Sequence, residues 1–261
     1  MEAKKNMNKI NEYFNFNNTP FINNEDDIYE SYDYSQIKAR IEFLLDNEEI
    51  GLITGFHGAG KTSIINKIFK DKNIKTIYLS VTDMSLFDFY VYIGQALDVN
   101  TNHCHKLRII KDIEYSIRNS KDNTILILDD VEEIDIKILK LIKSLSEVKG
   151  LHIILIGHTS FRSALKDTRK SFIESHIITN YECKGLSLNE LKEYIKWNLN
   201  KVNYNEVLVD DRYYRSIHEI TDGSIQVINK FMSNLLLIMT INNTKQVTSK
   251  LIEDTKDEME I

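Results

Sequence analysis

The segment GFHGAGKT at residues 55–62 constrains this chain more than any other, because it fits the pattern G-x-x-x-x-G-K-[ST]. An apolar run at residues 51–54 with strand character precedes it, and residues 63–70 follow with their apolar side chains on one helical face. A glycine-rich turn between a strand and a helix lets backbone amides approach an anion, and the helix dipole favours negative charge there. The segment is therefore predicted to be a phosphate-binding loop.

Each fixed position of this loop has a physical role. The glycines let the backbone turn tightly and approach phosphates without a Cβ in the way. Lys61 is expected to reach the β- and γ-phosphates of a nucleoside triphosphate, and Thr62 to place its hydroxyl on Mg²⁺. ATP and Mg²⁺ are the predicted cofactors. The predicted contacts of the nucleotide along the loop are Gly55, Phe56, His57, Gly58, Ala59, Gly60, Lys61, Thr62 and Ser63.

Strand patterns and helical patterns alternate along the first two thirds of the chain. The further apolar strands are predicted at residues 75–81, 124–128, 151–156 and 177–183. Such alternation predicts an α/β fold in which helices cover both faces of a parallel sheet. From residue 186 the pattern is helical only. We therefore predict an N-terminal arm at residues 1–34, a P-loop nucleotide-binding core at residues 35–185 and a small all-helical lid domain at residues 186–261. The aromatic residues of the arm are expected to dock on the core.

Two carboxylates follow the strand at residues 124–128. In a P-loop enzyme, Asp129 would lie opposite Thr62 and orient Mg²⁺ through its water shell, while Asp130 would polarise the attacking water. The alternative is that both residues cap the helix that follows. Asp129 is predicted as a metal residue with Thr62, and Asp130 as a catalytic residue with Lys61.

The strand at residues 151–156 ends in Gly157-His158-Thr159, at the edge of the sheet where ligands bind in open α/β folds. His158 is a third catalytic candidate, either sensing the γ-phosphate or orienting water. A histidine that is satisfied by a neighbouring loop is the alternative.

The charge composition limits which binding partners are expected. A formal charge of −6 and a pI near 5.7 give no attraction of the whole molecule to nucleic acid, so any contact with DNA requires a local basic surface. Two groups of basic residues are candidates, although either is equally readable as a solvated face: Lys106, Arg108, Lys111 and Arg118, and Arg162, Lys166, Arg169 and Lys170.

Two cysteines at unpaired spacing indicate neither a disulfide framework nor a thiolate zinc site, and no metal is assigned to His103-Cys104-His105. No segment reaches the roughly 18 to 20 apolar residues needed to cross a bilayer. A soluble, cytoplasmic protein without a membrane partner is expected.

The ordered set of motifs resembles the ExeA-like branch of the AAA+ ATPases, which includes transposition helper ATPases of the TniB and TnsC type. The matching segments are TPF at residues 19–21, GLITGFHGAGKT, DFYVYIGQALDV, ILILDDVEEID, LHIILIGHTSFRSAL, GLSLNELKEYIKWNL and DGSIQVINK. The resemblance implies a P-loop AAA+ core with a helical lid, ATP hydrolysis, and oligomerisation.

Three positions depart from the pattern of that family. Asp130 stands where the family has glutamate, His176 where it has a candidate arginine finger, and Gln226 where the lid has a sensor arginine. Gln226 remains a candidate nucleotide contact. Because an arginine finger is worth about 10³ to 10⁵ in rate, slow hydrolysis is expected. Arg162 and Arg169 are candidates to substitute for it.

The resemblance implies two settings, a helper that brings a transposase-like protein to duplex DNA or an ATPase that assembles a secretion machine. We expect the first, because ExeA itself is membrane-anchored and this chain shows no spanning segment. A nucleotide-gated protein scaffold without hydrolysis is a further alternative. A small-molecule kinase is disfavoured, since the lid lacks an arginine-rich clamp for a second phosphate substrate.

Overall fold

The structure is a computed structural model that describes residues 2–22, 27–47, 49–70, 72, 74–101, 106–120, 122–167 and 169–260, with backbone alone for residues 2–6 and Lys106. The His103-Cys104-His105 segment and the side chain of Lys106 lie outside the described residues.

Helices and strands alternate up to Cys183 and give way to helices alone after it. The strands are β1 (Ile50–Gly55), β2 (Lys75–Ser80), β3 (Thr124–Asp129), β4 (Leu151–Gly157) and β5 (Ile177–Cys183). The helices are α1 (Glu2–Phe14), α2 (Tyr32–Leu45), α3 (Lys61–Lys70), α4 (Leu86–Ala96), α5 (Lys106–Arg118), α6 (Ile136–Ser146), α7 (Thr159–Ala164), α8 (Leu188–Lys201), α9 (Tyr214–Thr221), α10 (Ile225–Ile241) and α11 (Ser249–Glu258). Short 3₁₀ helices cover Val131–Glu133, Ser171–His176 and Asp211–Tyr213.

Contacts group the chain into two compact units. The α/β unit comprises residues 34–56 and 61–183, and the helical unit comprises residues 1–33, 57–60 and 184–261. The divisions after Asp33 and Cys183 lie one and two residues before the predicted domain limits. Residues 1–33 group with the C-terminal helices instead of standing apart as an arm.

The five described strands of the α/β unit form one parallel sheet in the order β2-β3-β4-β1-β5. This confirms the predicted α/β fold class. Because the strands are parallel, their carboxyl ends meet at one edge, with Thr54 opposite Gly157 and Ser80 opposite Asp129. The loop at residues 55–62 and the acidic pair therefore leave the sheet from the same edge.

The three inner strands are buried along their whole length, since both faces of the sheet are covered. Leu126 and Leu128 belong to the large apolar cluster on one face, and Ile125 and Ile127, which alternate with them, are buried as well. Each such side chain contributes roughly 1.5–3 kcal/mol by leaving water. This burial fixes the strand ends and hence the polar residues that follow them.

Side chains from two helices donate hydrogen bonds to backbone carbonyls of the two edge strands. At β5, Arg40 of α2 donates Nε to the carbonyl of Asn180 at 3.0 Å and lies over the ring of Tyr181. At β2, the Tyr92 hydroxyl of α4 donates to the carbonyl of Tyr78 at 2.9 Å. Such cover limits pairing of the sheet edge with another chain.

The helical unit has its own apolar core, which is built from α1, α8 to α11 and the aromatic residues near Pro20. Phe14 stacks on Phe16 with ring centroids 5.1 Å apart, and both rings meet Tyr204 edge to face. The prediction that these aromatic residues dock on the α/β core was wrong, because their apolar surface is buried among the C-terminal helices. Helix α1 was not predicted either.

Helix α8 begins with a capping box in which Ser187 and Glu190 satisfy each other's backbone amides. Glu190 also accepts from the Tyr32 amide at 2.6 Å, so one carboxylate fastens the N-terminal segment to α8.

In the described part of the chain, no helix combines the length and the apolar character needed to cross a bilayer.

Candidate nucleotide-binding site

The loop at residues 55–62 has the backbone that its glycines permit. Gly58 and Gly60 adopt φ of 80° and 87°, a region in which an L side chain is strained. Gly55 has conventional φ but no spare room, since an added Cβ would lie 2.8 Å from the Cβ of Cys183. All three glycines are therefore required by the conformation, for two different reasons.

Lys61, the first residue of α3, folds back over the start of the loop. Its Nζ donates to the carbonyls of Gly55 and Phe56, both at 2.9 Å. An ammonium group has three donors, so it can also donate to a phosphate oxygen. The lysine is thereby held against the turn whose amides would meet an anion.

Thr62 and Asp129 lie in direct contact, as their predicted roles require. Thr62 Oγ1 donates to Asp129 Oδ2 at 2.6 Å, and Asp129 is only 6% exposed. Among the described residues there is no cluster of three or more His, Cys, Asp or Glu side chains suited to a metal. An oxygen-only pair beside a phosphate loop nevertheless fits Mg²⁺, which takes few protein ligands and completes its shell with phosphates and water. Thr62 would hold such an ion with Asp129 beside it, and the ion would supply positive charge that neutralises the charge developing on the phosphates.

Tyr78 is a residue of this site that sequence reasoning missed. Its hydroxyl donates to the same Asp129 Oδ2 at 2.6 Å. Partial burial, the hydrogen bond to Asp129 and the nearby negative charge all raise the pKa of this phenol. Tyr78 therefore stays protonated over the usual pH range and remains a donor to the carboxylate.

Asp130 points toward β2, where it accepts a hydrogen bond from Ser80 Oγ at 2.7 Å. Its backbone is left-handed with φ of 59°, and its side chain makes no capping bond to the 3₁₀ helix that follows. Helix α6 is capped by Asp135 instead. Capping therefore does not account for Asp130, and the carboxylate is held at the polar edge of the sheet by Ser80, a partner that the sequence did not reveal.

His158 follows β4 and is held by local contacts. Its Nδ1 accepts from the Ser160 amide at 3.3 Å, which caps α7, and its own amide donates to Glu132 Oε2 at 2.9 Å. This arrangement matches the alternative of a histidine satisfied by its neighbours. Glu132, also missed by sequence reasoning, ties the 3₁₀ helix after β3 to the end of β4.

The arginines that were candidates to replace a finger lie at the protein surface. Arg162 is 4.0 Å from Glu182 with half of its side chain exposed, and Arg169 pairs with nearby Asp167 at 3.1 Å while 81% exposed. His176 ends a 3₁₀ helix before β5. None of these side chains is seen in contact with Lys61, Thr62 or Asp129, as far as the described residues show.

Gln226 of α10 lies beside the phosphate loop residue Gly58, and both belong to the helical unit. The Gln226 amide donates to the Gly58 carbonyl at 3.3 Å. An added Cβ on Gly58 would lie 2.6 Å from Ser224 Oγ and 2.9 Å from the Gln226 side chain. Absence of a Cβ at this position thus permits close packing as well as positive φ.

Comparison with known proteins agrees with this geometry. The family model described as an AAA domain matches residues 44–165. No curated protein matches the chain. Cdc6p from Pyrobaculum aerophilum superposes with a TM-score of 0.71 at 14% identity, covering 91% of this chain and 70% of that one.

Two Aeropyrum pernix proteins are also similar in structure. The ORC2 protein, solved as ADPNP–ADP complexes, gives a TM-score of 0.66 at 15% identity over 95% of this chain and 71% of that one. The ORC1 protein in complex with DNA gives 0.63 at 13% identity over 90% and 66%, so this chain spans about two thirds of its length. The parallel sheet, the phosphate loop and these similarities together show that the chain has the fold of the AAA+ P-loop ATPases, and the AAA domain model matches it over residues 44–165.

Proposed function

We propose that this protein binds ATP with Mg²⁺ at residues 55–63 and works as a nucleotide-dependent switch or assembly factor on DNA. The proposal rests on the contact of Thr62 with Asp129 at 2.6 Å. This contact lies next to a loop whose glycines Gly58 and Gly60 adopt positive φ. Oxygen ligands for a hard cation and an ammonium group for phosphates meet here at one edge of the sheet.

Calorimetry of ATP binding with and without Mg²⁺ tests the nucleotide part. Replacing Lys61 by alanine removes a charged donor and is expected to cost about 3 kcal/mol, or roughly 100-fold in affinity. Lys75→Ala, an exposed lysine on β2, is the matched control and should bind as the native protein does. Absence of heat with native protein, or equal affinity in Lys61→Ala, contradicts the proposal.

Hydrolysis is proposed to be slow. Asp130 is shorter than the glutamate it replaces and is hydrogen-bonded to Ser80, while Arg162 and Arg169 are exposed. A group that stabilises charge only in the transition state must be aimed at it. Single-turnover measurements are expected to show slow product formation. Brisk hydrolysis that survives in an Arg162→Ala, Arg169→Ala double variant would contradict this part.

For DNA we propose the exposed face of α5. Leu107, Lys111, Tyr115 and Arg118 recur there at helical spacing and are exposed, and Arg108 adds a charge beside them. Lysine and arginine neutralise phosphates, and an aromatic ring can pack on sugar or base. The structurally similar ORC1 protein of Aeropyrum pernix was solved in complex with DNA, which supports a DNA partner for this fold.

Retention of duplex DNA at two salt concentrations, with ATP or a non-hydrolysable analogue, tests the DNA part. A Lys111→Glu, Arg118→Glu variant is expected to lose salt-sensitive retention. Reversal of charge at exposed Lys250 on α11 serves as the control. Equal loss of DNA retention in both variants would indicate that net charge decides binding, and would contradict a specific DNA-binding surface on α5.

The finer assignment is a transposition-type helper that forms a homo-oligomer and meets a transposase-like protein. It is supported by the ordered motifs that resemble the ExeA-like branch, from GLITGFHGAGKT to DGSIQVINK. Mass measurements in the apo, ADP and ATP-analogue states test it. A constant monomer in all three states, with or without DNA, would favour the scaffold alternative.

A further inference from the structure

Tyr78 brings a hydroxyl from the edge strand of the sheet to a carboxylate of the neighbouring strand. Its side chain is 36% exposed, whereas Ile77 and Leu79 on either side are buried. The ring therefore adds less to the apolar core than its neighbours do. Its hydroxyl donates to Asp129 Oδ2 at 2.6 Å, and the Thr62 side chain is a further hydrogen-bonding neighbour of that hydroxyl.

The Asp129 carboxylate is fixed by donors from three parts of the chain. Oδ1 accepts from the Asp130 amide at 2.9 Å, and Oδ2 accepts from both Thr62 of α3 and Tyr78 of β2 at 2.6 Å each. A carboxylate on a short side chain turns freely unless such bonds select one orientation. Thr62 is also the residue whose hydroxyl would hold Mg²⁺, and its oxygen can offer a lone pair to the ion while its hydrogen still donates to Asp129.

We propose that Tyr78 is a positioning residue for magnesium, whose hydroxyl holds Asp129 in the orientation that favours the metal-loaded nucleotide over the metal-free one. The inference rests on the proposed nucleotide function and deepens it. Groups that orient a metal-binding side chain are worth about 10- to 100-fold in metal affinity. In this role Tyr78 acts through Asp129.

A purely structural role for the hydroxyl makes a different prediction. Loss of a bond that only closes a polar network lowers stability without altering the preference for magnesium. Tyr92→Phe supplies a matched control, because the Tyr92 hydroxyl binds the Tyr78 carbonyl at 2.9 Å and is not seen in contact with Asp129 among the described residues.

The measured quantity is the ratio of ATP affinities with Mg²⁺ and with chelator, obtained by calorimetry on the full chain. Tyr78→Phe is expected to lower this ratio about 10-fold through weaker binding with Mg²⁺, with affinity in chelator unchanged. Tyr92→Phe is expected to keep the native ratio. An unchanged ratio in Tyr78→Phe, or an equal fall in Tyr92→Phe, overturns the proposal.

A double-variant cycle tests whether Tyr78 acts through Asp129. In an Asp129→Asn background, Tyr78→Phe is expected to change the ratio no further, since residues in one network are not additive. Full additivity overturns the proposal. Tyr78→Leu carries the same test if the phenylalanine variant does not fold. Native protein that binds no ATP in either condition refutes the nucleotide function itself, whereas an unchanged ratio refutes only the role of Tyr78.

Discussion

The carboxyl edge of β1 to β4 carries the residues proposed to bind phosphate and metal, and the described part of residues 162–176 carries the arginines proposed as finger substitutes. The two regions are built differently. At the edge, Asp129 is nearly buried and receives three hydrogen bonds. In the segment, Arg162 and Arg169 are at least half exposed, and their ion pairs lie at the surface. The residues proposed to bind phosphate and metal are thus held by hydrogen bonds, whereas the two arginines proposed as finger substitutes are held, in the described residues, only by surface ion pairs.

The largest expected effect separates turnover from binding. Asp130 contacts Ser80 and is not seen in contact with the phosphate loop among the described residues, so Asp130→Ala is expected to leave ATP affinity unchanged. If it polarises the attacking water, its loss lowers the rate roughly 100-fold or more, the usual range for a general base. Single-turnover rates and calorimetry on the same variant measure both quantities. Unchanged turnover would remove Asp130 from the catalytic residues.

A pair of glycines tests how far the loop is preorganised. Gly60 and Gly150 have φ of 87° and 86°, and neither has crowding below 3.3 Å around an added Cβ. Alanine at either position should cost about 1–3 kcal/mol of stability from backbone strain. Only Gly60→Ala is expected to lower ATP affinity, by roughly 10-fold or more, as the anion-binding amides shift. Equal affinity in both variants would show a tolerant loop.

Glu190 is a carboxylate outside the candidate site that, like Asp129, is held by hydrogen bonds, in this case from Tyr32 and Ser187. Burial raises the pKa of Glu190, whereas the hydrogen bonds that it accepts from Tyr32 and Ser187 lower it. The net result is a lowered pKa. Stability from this group is therefore present above its unfolded pKa and is lost as pH falls through the lower folded value. Glu190→Gln is expected to cost about 1 kcal/mol at neutral pH and less in acid.

Thermal unfolding of native and Glu190→Gln protein over a series of acidic pH values measures that difference. A gap in stability that widens as the pH falls would have the wrong sign and contradict the assignment.

The smallest effect is expected in the arginine segment. The Arg162 and Glu182 side chains are each about half exposed and 4.0 Å apart, so Arg162→Ala should change the free energy of unfolding by less than about 1 kcal/mol. Chemical denaturation at low and high salt measures it. A larger, salt-insensitive loss would show that this segment is as firmly held as the sheet edge.

Much of the site was readable because it is local in sequence. The loop pattern predicted the turn, Lys61 and Thr62, and the apolar strand before Asp129 predicted that this carboxylate would meet Thr62. Tyr78 and Ser80 could not be identified in this way, since their partners depend on the register of β2 against β3, in which Ser80 lies opposite Asp129. A period-two pattern says which side chains share a face, and it does not say which carboxylate they reach.

The fold, like the candidate site, has features that the local sequence predicts and features that depend on tertiary contacts. Periodicity and the glycine loop predicted the parallel α/β sheet, the helical end of the chain and the candidate phosphate site, because each follows from burial and turn geometry over a few residues. Only the tertiary structure decided that the N-terminal aromatic residues join the helical unit and that Asp129 is held by Tyr78. The hydrophobic effect is non-directional, so an apolar segment does not specify which core it joins. Hydrogen-bond partners distant in sequence produce no periodic pattern, so no local segment predicts either contact.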